Sequence, residues 1–188
     1  MTRIIGIAGS LRRGSYNAAL LRAAAESAPA NSKIETASIR GIPLYDGDVE
    51  AADGIPAAVT QLKDLVAGAD ALLLVTPEYN HSIPGVLKNA IDWMTRPGAD
   101  IARVFGNKPV GLIGATPGGL GTAFSQTAWL PVLHTLGTRM YTGRSLYVSN
   151  AAKVFDGEGK LVDAAMQQRL RSYLEGFVDF IHNNRRQE

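Results

Sequence analysis

The chain has 188 residues, a hydrophobic share of 46% and 20 glycines, which is enough for one domain spanning 1–188 around a full-sized core. Its 19 basic and 17 acidic residues are mixed along the chain and leave a formal net charge of +2; no basic stripe with interleaved aromatics suggests nucleic acid, and Arg185-Arg186 reads as a solvated helix end. The absence of cysteine excludes disulfides, thiol nucleophiles and thiolate metal sites; with no signal pattern and no apolar run near the ~20 residues that cross a bilayer, the expectation is a cytoplasmic, soluble protein.

Ile4, Ile5, Ile7 and Ala8 predict a buried first strand, and Leu20, Leu21, Ala24, Ala25 and Ala28 fall on one face of the helix after it. Lys33–Ile39 is more polar and reads as a second strand near a sheet edge. Residues 40–54 hold three glycines, a proline and four acids and read as a surface loop, with no chemistry assigned to Asp46, Asp48 or Glu50. A helix between Pro56 and Gly68 leads to the wholly apolar strand Ala71–Val75. After a loop at 76–82, Pro84 opens a helix with Val86, Leu87, Ala90, Ile91 and Met94 on its buried stripe. Residues 96–105 read as irregular, and Lys108–Ala115 as a fourth buried strand. A helix from Phe124 is expected to bend or break before Pro131. A short last strand at 145–149 and a long amphipathic helix through Met166, Leu170, Leu174, Phe177 and Ile181 complete the chain. Five strand-helix units in alternation imply a parallel sheet with helices on both faces.

In such a sheet a ligand sits beyond the carboxyl ends of the strands. Three distinctive turns fall on that edge. The first, Gly9-Ser10-Leu11-Arg12-Arg13-Gly14-Ser15-Tyr16-Asn17, joins a strand to a helix start. Backbone N–H groups, hydroxyls of Ser10 and Ser15, the Asn17 amide and the Arg12 cation there suit one phosphate. It lacks the Lys-Ser/Thr of a triphosphate loop and the G-x-G-x-x-G of a dinucleotide site, and its plain alternative is a capped βα turn. The second, Thr76–Gly85, is stiffened by prolines at both ends. It offers peptide donors to a flat ring, with Tyr79 as an aromatic wall or a packing residue and Glu78 as a possible solvated charge. The third, Thr116–Thr122, is rich in glycine and admits close backbone approach. His81 has no second ligand to suggest a metal, and no G-x-S-x-G elbow suggests a serine hydrolase.

Gly9-Ser10-Leu11-Arg12 with Ser15 and Asn17 resembles the phosphate loop of the NADPH-dependent FMN reductase family, which includes chromate and quinone reductases. Pro77-Glu78-Tyr79-Asn80, Ser82, Pro84-Gly85 and Leu87–Trp93 (LKNAIDW) resemble its most specific motif, and Thr116-Pro117-Gly118-Gly119 its third loop. The likeness implies a three-layer flavodoxin-like α/β sandwich whose five-stranded parallel sheet has the order 2-1-3-4-5. It also implies non-covalent FMN as cofactor, with NADPH or NADH as electron donor. It places Ser10, Arg12, Ser15 and Asn17 around the FMN phosphate, and Pro77, Glu78, Tyr79, Asn80, His81 and Ser82 along the isoalloxazine. Thr116, Gly118 and Gly119 come near the ring or its ribityl chain. His81 stands where glycine is common, and Thr116 where serine is frequent.

The implied activity carries hydride from nicotinamide through FMN to a quinone, flavin or similar small acceptor, with no catalytic side chain and no metal. Homodimers or homotetramers are expected. The rival reading, a non-enzymatic flavodoxin-type electron carrier, is disfavoured by the mixed charge, because such carriers resemble acidic shuttles. No 2′-phosphate clamp stands out among arginines scattered along the chain.

Overall fold

A computed structural model describes residues 1–185, with side chains to 183; the basic pair at 185–186 lies outside the described side chains. Six strands form one parallel sheet: β1 (Thr2–Ala8), β2 (Ser32–Ala37), β3 (Ala71–Val75), β4 (Pro109–Ala115), β5 (Arg139–Met140) and β6 (Leu146–Val148). The order is β2-β1-β3-β4-β5, with β6 also paired to β4. β5 and β6 share one edge position, β5 beside Pro109 and Val110 and β6 beside residues 113–115. The fifth strand of the expected topology is thus present in two pieces. Lys33 and Glu35 of β2 sit on the other edge, where Glu35 pairs with Arg3 at 3.0 Å.

Strand alternation divides the core. Ile4, Leu73, Val75 and Ile113 face α1 (Tyr16–Glu26) and α8 (Ala164–Arg185), against Leu20, Tyr173, Leu174 and Phe177. Ile5, Ile7, Leu72 and Leu74 face α3 (Ala57–Ala67), α4 (Gly85–Met94), α5 (Ile101–Phe105) and α6 (Ala123–Thr135). Because both faces of β1 and β3 are covered, their sequences are apolar almost throughout.

Three expectations need correction. The surface loop at 40–54 contains α2 (Gly47–Asp53). Asp46 caps it by accepting from the Asp48 N–H at 2.9 Å, and Glu50 in its first turn is bonded by Arg96 Nε at 2.8 Å. The irregular stretch at 96–105 holds a short 3-10 turn and α5, because Val104 and Phe105 are buried and Lys63 binds both Asp100 (2.5 Å) and the Arg96 carbonyl. Finally, α6 runs unbroken through Pro131. The ring is exposed, so the carbonyl it leaves without an N–H partner, that of Thr127, lies on the side of the helix open to water. Among the described residues, no helix is long and apolar enough to cross a membrane, and a short α7 (Ala151–Val154) follows β6.

Candidate active site

The three turns leave neighbouring strands at the same end of the sheet, after β1, β3 and β4. They enclose a cleft of about 90 Å³, whose lining includes Ser10, Arg12, Ser15 and Asn17 from the first turn, Pro77, Glu78 and Tyr79 from the second, and Thr116 from the third. Tyr16, Ala115 and Pro117 line it as well, residues to which the sequence assigned no contact with a ligand.

Gly9 permits the first two turns to approach. Its N–H donates to the Val75 carbonyl at 2.9 Å, and a Cβ there would stand 2.8 Å from Leu87 Cδ2 and 2.9 Å from Pro77 Cδ. Ser15 caps α1, its Oγ accepting from the Ala18 N–H at 3.2 Å, so its own proton is left to donate. The first N–H groups of α1 have no acceptor in the helix, as at any helix start, and aim the positive end of the dipole toward the turn. Arg12 is exposed and donates to the Gly14 carbonyl at 3.1 Å, which folds it back over the turn. Tyr79 donates from its hydroxyl to Ser10 Oγ at 3.3 Å.

Asn17, which lines the cleft, also ties the first turn to the sheet. It is buried, donates from Nδ2 to the Ala115 carbonyl at 2.8 Å, and accepts on Oδ1 from the Ala115 N–H at 2.9 Å. This pair of bonds clips the start of α1 to the end of β4 and fixes the distance between the first and third turns.

Glu78 is likewise no solvated charge, for its side chain is only 8% exposed. Its Oε2 accepts from the N–H groups of Phe124 (2.9 Å) and Ser125 (3.2 Å) at the start of α6. The residue at the usual cap position, Thr122, is in the left-handed region at φ 70° and makes no side-chain cap bond. A carboxylate from the second turn therefore supplies the cap and complements the dipole. The other oxygen, Oε1, lies 3.3 Å from His81 Nδ1.

The second turn closes as a tight hairpin. Tyr79 and Ser82 exchange two backbone bonds at 3.1 and 3.2 Å, and the two residues between them, Asn80 (φ 51°) and His81 (φ 59°), are both left-handed. That is the backbone requirement of a type I′ turn, which explains why glycine would be at home at position 81. The imidazole is held by Glu78 and by an edge contact to Phe124, ring centres 5.1 Å apart. Asn80, His81 and Ser82 lie beyond the cleft lining, as do Gly118 and Gly119. In the third turn, Thr116 Oγ1 accepts from the Gly118 N–H at 3.3 Å, and a Cβ on Gly119 would meet nothing within 4 Å, so that stretch of backbone is open to a ligand.

The LKNAIDW segment supports the site without entering it. Asn89 Nδ2 and Trp93 Nε1 both donate to the Pro43 carbonyl, at 2.8 and 2.9 Å, while Leu87, Ala90, Ile91 and Met94 are fully buried.

The sequence profile described as NADPH-dependent FMN reductase matches residues 2–153. An NAD(P)H-dependent FMN reductase of Pseudomonas aeruginosa is 42% identical over 92% of this chain and 91% of its own. The chain belongs to the NADPH-dependent FMN reductase family. A quinone reductase of Escherichia coli K12 is 36% identical over 95% of each chain. The solved structure of a flavoenzyme NAD(P)H:acceptor oxidoreductase from Paracoccus denitrificans superposes with a TM-score of 0.87 at 33% identity, covering 98% of this chain and 99% of that one.

The residues present fit the family's cofactor. A phosphate needs donors without competing carboxylates, and the first turn offers helix N–H groups, the Ser15 hydroxyl and Arg12. The one carboxylate lining the cleft, that of Glu78, is already committed to the start of α6. A flat ring needs a wall and an open backbone face, which Tyr79 and the third turn offer. The sequence reading missed the buried brace beneath the second turn. Trp129 Nε1 donates to Thr76 Oγ1 at 3.0 Å, and Ser125 Oγ lies 2.9 Å from the same hydroxyl. The one available signal was a Thr immediately after an all-apolar strand, where an unsatisfied buried hydroxyl would be costly.

Proposed function

We propose that this protein is an NAD(P)H-dependent FMN-containing oxidoreductase that passes electrons to a quinone or a similar small acceptor. The observation that carries the reading is the convergence of the three turns on one cleft, with a helix N-terminus, a cap hydroxyl and an arginine from the first turn and an aromatic side chain from the second. FMN bound there supplies the hydride chemistry. The chain's part is to grip, orient and polarise. Ser15, Arg12 and the α1 N–H groups hold the phosphate; Asn17 holds the first turn at a fixed distance from β4; the second-turn peptide N–H groups not spent in its hairpin, those of Glu78, Asn80 and His81, stabilise negative charge at the ring edge. Glu78 keeps that second turn seated on α6.

A quinone acceptor is favoured by the quinone reductases among the relatives, at 36–37% identity over most of the chain. Exposed Leu120 before α6 and exposed Phe124 and Leu130 on it support a homodimer or homotetramer. The deciding experiment is a visible spectrum of purified protein reconstituted with FMN, followed by anaerobic titration with NADPH and with NADH. Bleaching by either donor and recovery on adding a benzoquinone are expected. A protein that stays colourless in excess FMN, or whose bound FMN neither donor bleaches, would sink the proposal. Light scattering settles the oligomer.

A further inference from the structure

The middle of the phosphate turn has little behind it. Residues 11–14 are exposed. The Arg12 N–H lies 3.4 Å from Ser10 Oγ, and Arg12 Nη2 donates to the Gly14 carbonyl at 3.1 Å; each bond spans two residues and ties the turn only to itself. On the side facing β2 there is space in place of packing, a cavity of about 310 Å³ with Leu11 and Arg12 on its lining and Thr36, Ser38 and Ile39 among the residues from the β2 side. One hydrogen bond joins the two sides. Arg40 Nη2 donates to the Leu11 carbonyl at 2.6 Å.

Arg40 is suited to this because its backbone is anchored although its side chain is exposed. It follows the end of β2 closely, Ile39 before it is 4% exposed in the core, and its own N–H donates to Ser38 Oγ at 3.1 Å. Arg3, Arg96 and Arg103 pair with carboxylates at 2.8–3.0 Å, whereas the bond of Arg40 goes to a peptide carbonyl. A bond from a charged donor is about twice as strong as a neutral one, enough to choose one orientation for a peptide in an exposed turn.

That orientation bears on the cofactor. The Leu11–Arg12 peptide is trans, and in a planar trans peptide the C=O and N–H point opposite ways. With the Leu11 oxygen drawn toward Arg40, the Arg12 N–H is turned to Ser10 Oγ, on the lining of the cofactor cleft. Were the peptide to flip, a carbonyl dipole would face the phosphate where an N–H now does, and an attraction would become a repulsion. We propose that Arg40 is a positioning residue for the FMN phosphate: it fixes the Leu11–Arg12 peptide so that the first turn presents donors to the anion. The inference rests on the reading of the protein as an FMN-containing oxidoreductase.

The test is fluorescence titration of the FMN-free full chain with FMN and with riboflavin, which lacks the phosphate, for wild type, Arg40→Ala and Arg40→Lys. Arg40→Ala is expected to weaken FMN roughly tenfold, the worth of one charge-assisted bond, and to leave riboflavin within about twofold of wild type. Arg40→Lys, which keeps a charged donor, should recover part of the loss. The deficit should persist in about 1 M salt, where charges more than ~3 Å apart in solvent are screened. Urea midpoints of the FMN-free variants should match wild type. Equal weakening of FMN and riboflavin, or a lowered urea midpoint, would make Arg40 a merely structural residue and overturn the proposal. A deficit that vanishes in high salt would overturn it too, by reducing Arg40 to a remote charge. Wild-type protein that binds no FMN refutes the functional reading, whereas wild-type protein that prefers FMN to riboflavin while Arg40→Ala matches it refutes only the role of Arg40.

Discussion

Replacing Glu78 by alanine should loosen the second turn from α6. The carboxylate accepts two N–H groups, at 2.9 and 3.2 Å, from a helix start that has no other side-chain cap. Loss of a cap costs about 0.5–2 kcal/mol, and a partly buried charge on a helix dipole adds up to about 2 kcal/mol. Water can reach one of the freed donors, since Phe124 is 49% exposed, so the sum should fall short of both maxima, at about 2–3 kcal/mol. At this chain length about 2–4 °C accompanies each kcal/mol, so Tm should fall by about 4–12 °C. Glu78→Gln keeps an acceptor oxygen and loses the charge; about 1 kcal/mol is expected. Thermal and urea unfolding of the FMN-free protein isolate this term from cofactor binding, and FMN titration of the same variants should then show weaker binding in the same rank order. A Glu78→Ala variant within about 0.5 kcal/mol of wild type, the range of an ordinary surface change, would show that the carboxylate does not hold α6.

Asn17→Ala should cost about 1–3 kcal/mol in urea unfolding, by leaving the Ala115 N–H and carbonyl unpaired, and should weaken FMN as the first and third turns separate. Thr76→Val should cost about 1–3 kcal/mol by orphaning the buried Trp129 N–H, with a shift of the tryptophan emission as a second readout. At the left-handed position 81, His81→Val should destabilise by about 2 kcal/mol in thermal unfolding, whereas His81→Gly should stay within about 1 kcal/mol of wild type. The Arg96 bond holds the Glu50 carboxyl below its ordinary value. A depressed carboxyl contributes stability above its unfolded pKa and loses it as pH falls through the folded one. The deficit of Arg96→Ala in urea midpoint should therefore be full near neutrality and shrink as the pH drops below ~4.

The sheet was legible because strands covered on both faces write themselves as unbroken apolar runs: Ala71–Val75 is found at the bounds its sequence gives. The segments that were misread are those whose signals are weak or contradictory. Asp46 capping α2 is a short-range cue, but glycines at both ends of so brief a helix hide it. β5 has only two residues, too few for any periodicity to register. Pro131 reads as a helix breaker until it is known to face solvent.

At the site, the first turn was readable as a phosphate grip from its small and hydroxyl residues. The work of Asn17 and Glu78 was not, since the backbone groups they bind lie 46 or more residues away and have no side-chain signature.

The division of the last sheet position into β5 and β6 has a bearing on how copies of the protein can meet. Between them, Tyr141 leaves the sheet and nests among Tyr173, Phe177 and Phe180 of α8, ring centres 5.3–5.6 Å apart. The margin that would otherwise present a continuous ladder of unpaired peptide groups is cut into two pieces too short to template a neighbour's strand. Self-association on that side must then proceed by side chains fitting together, and a chain partly unfolded elsewhere finds no ready seam there along which to polymerise.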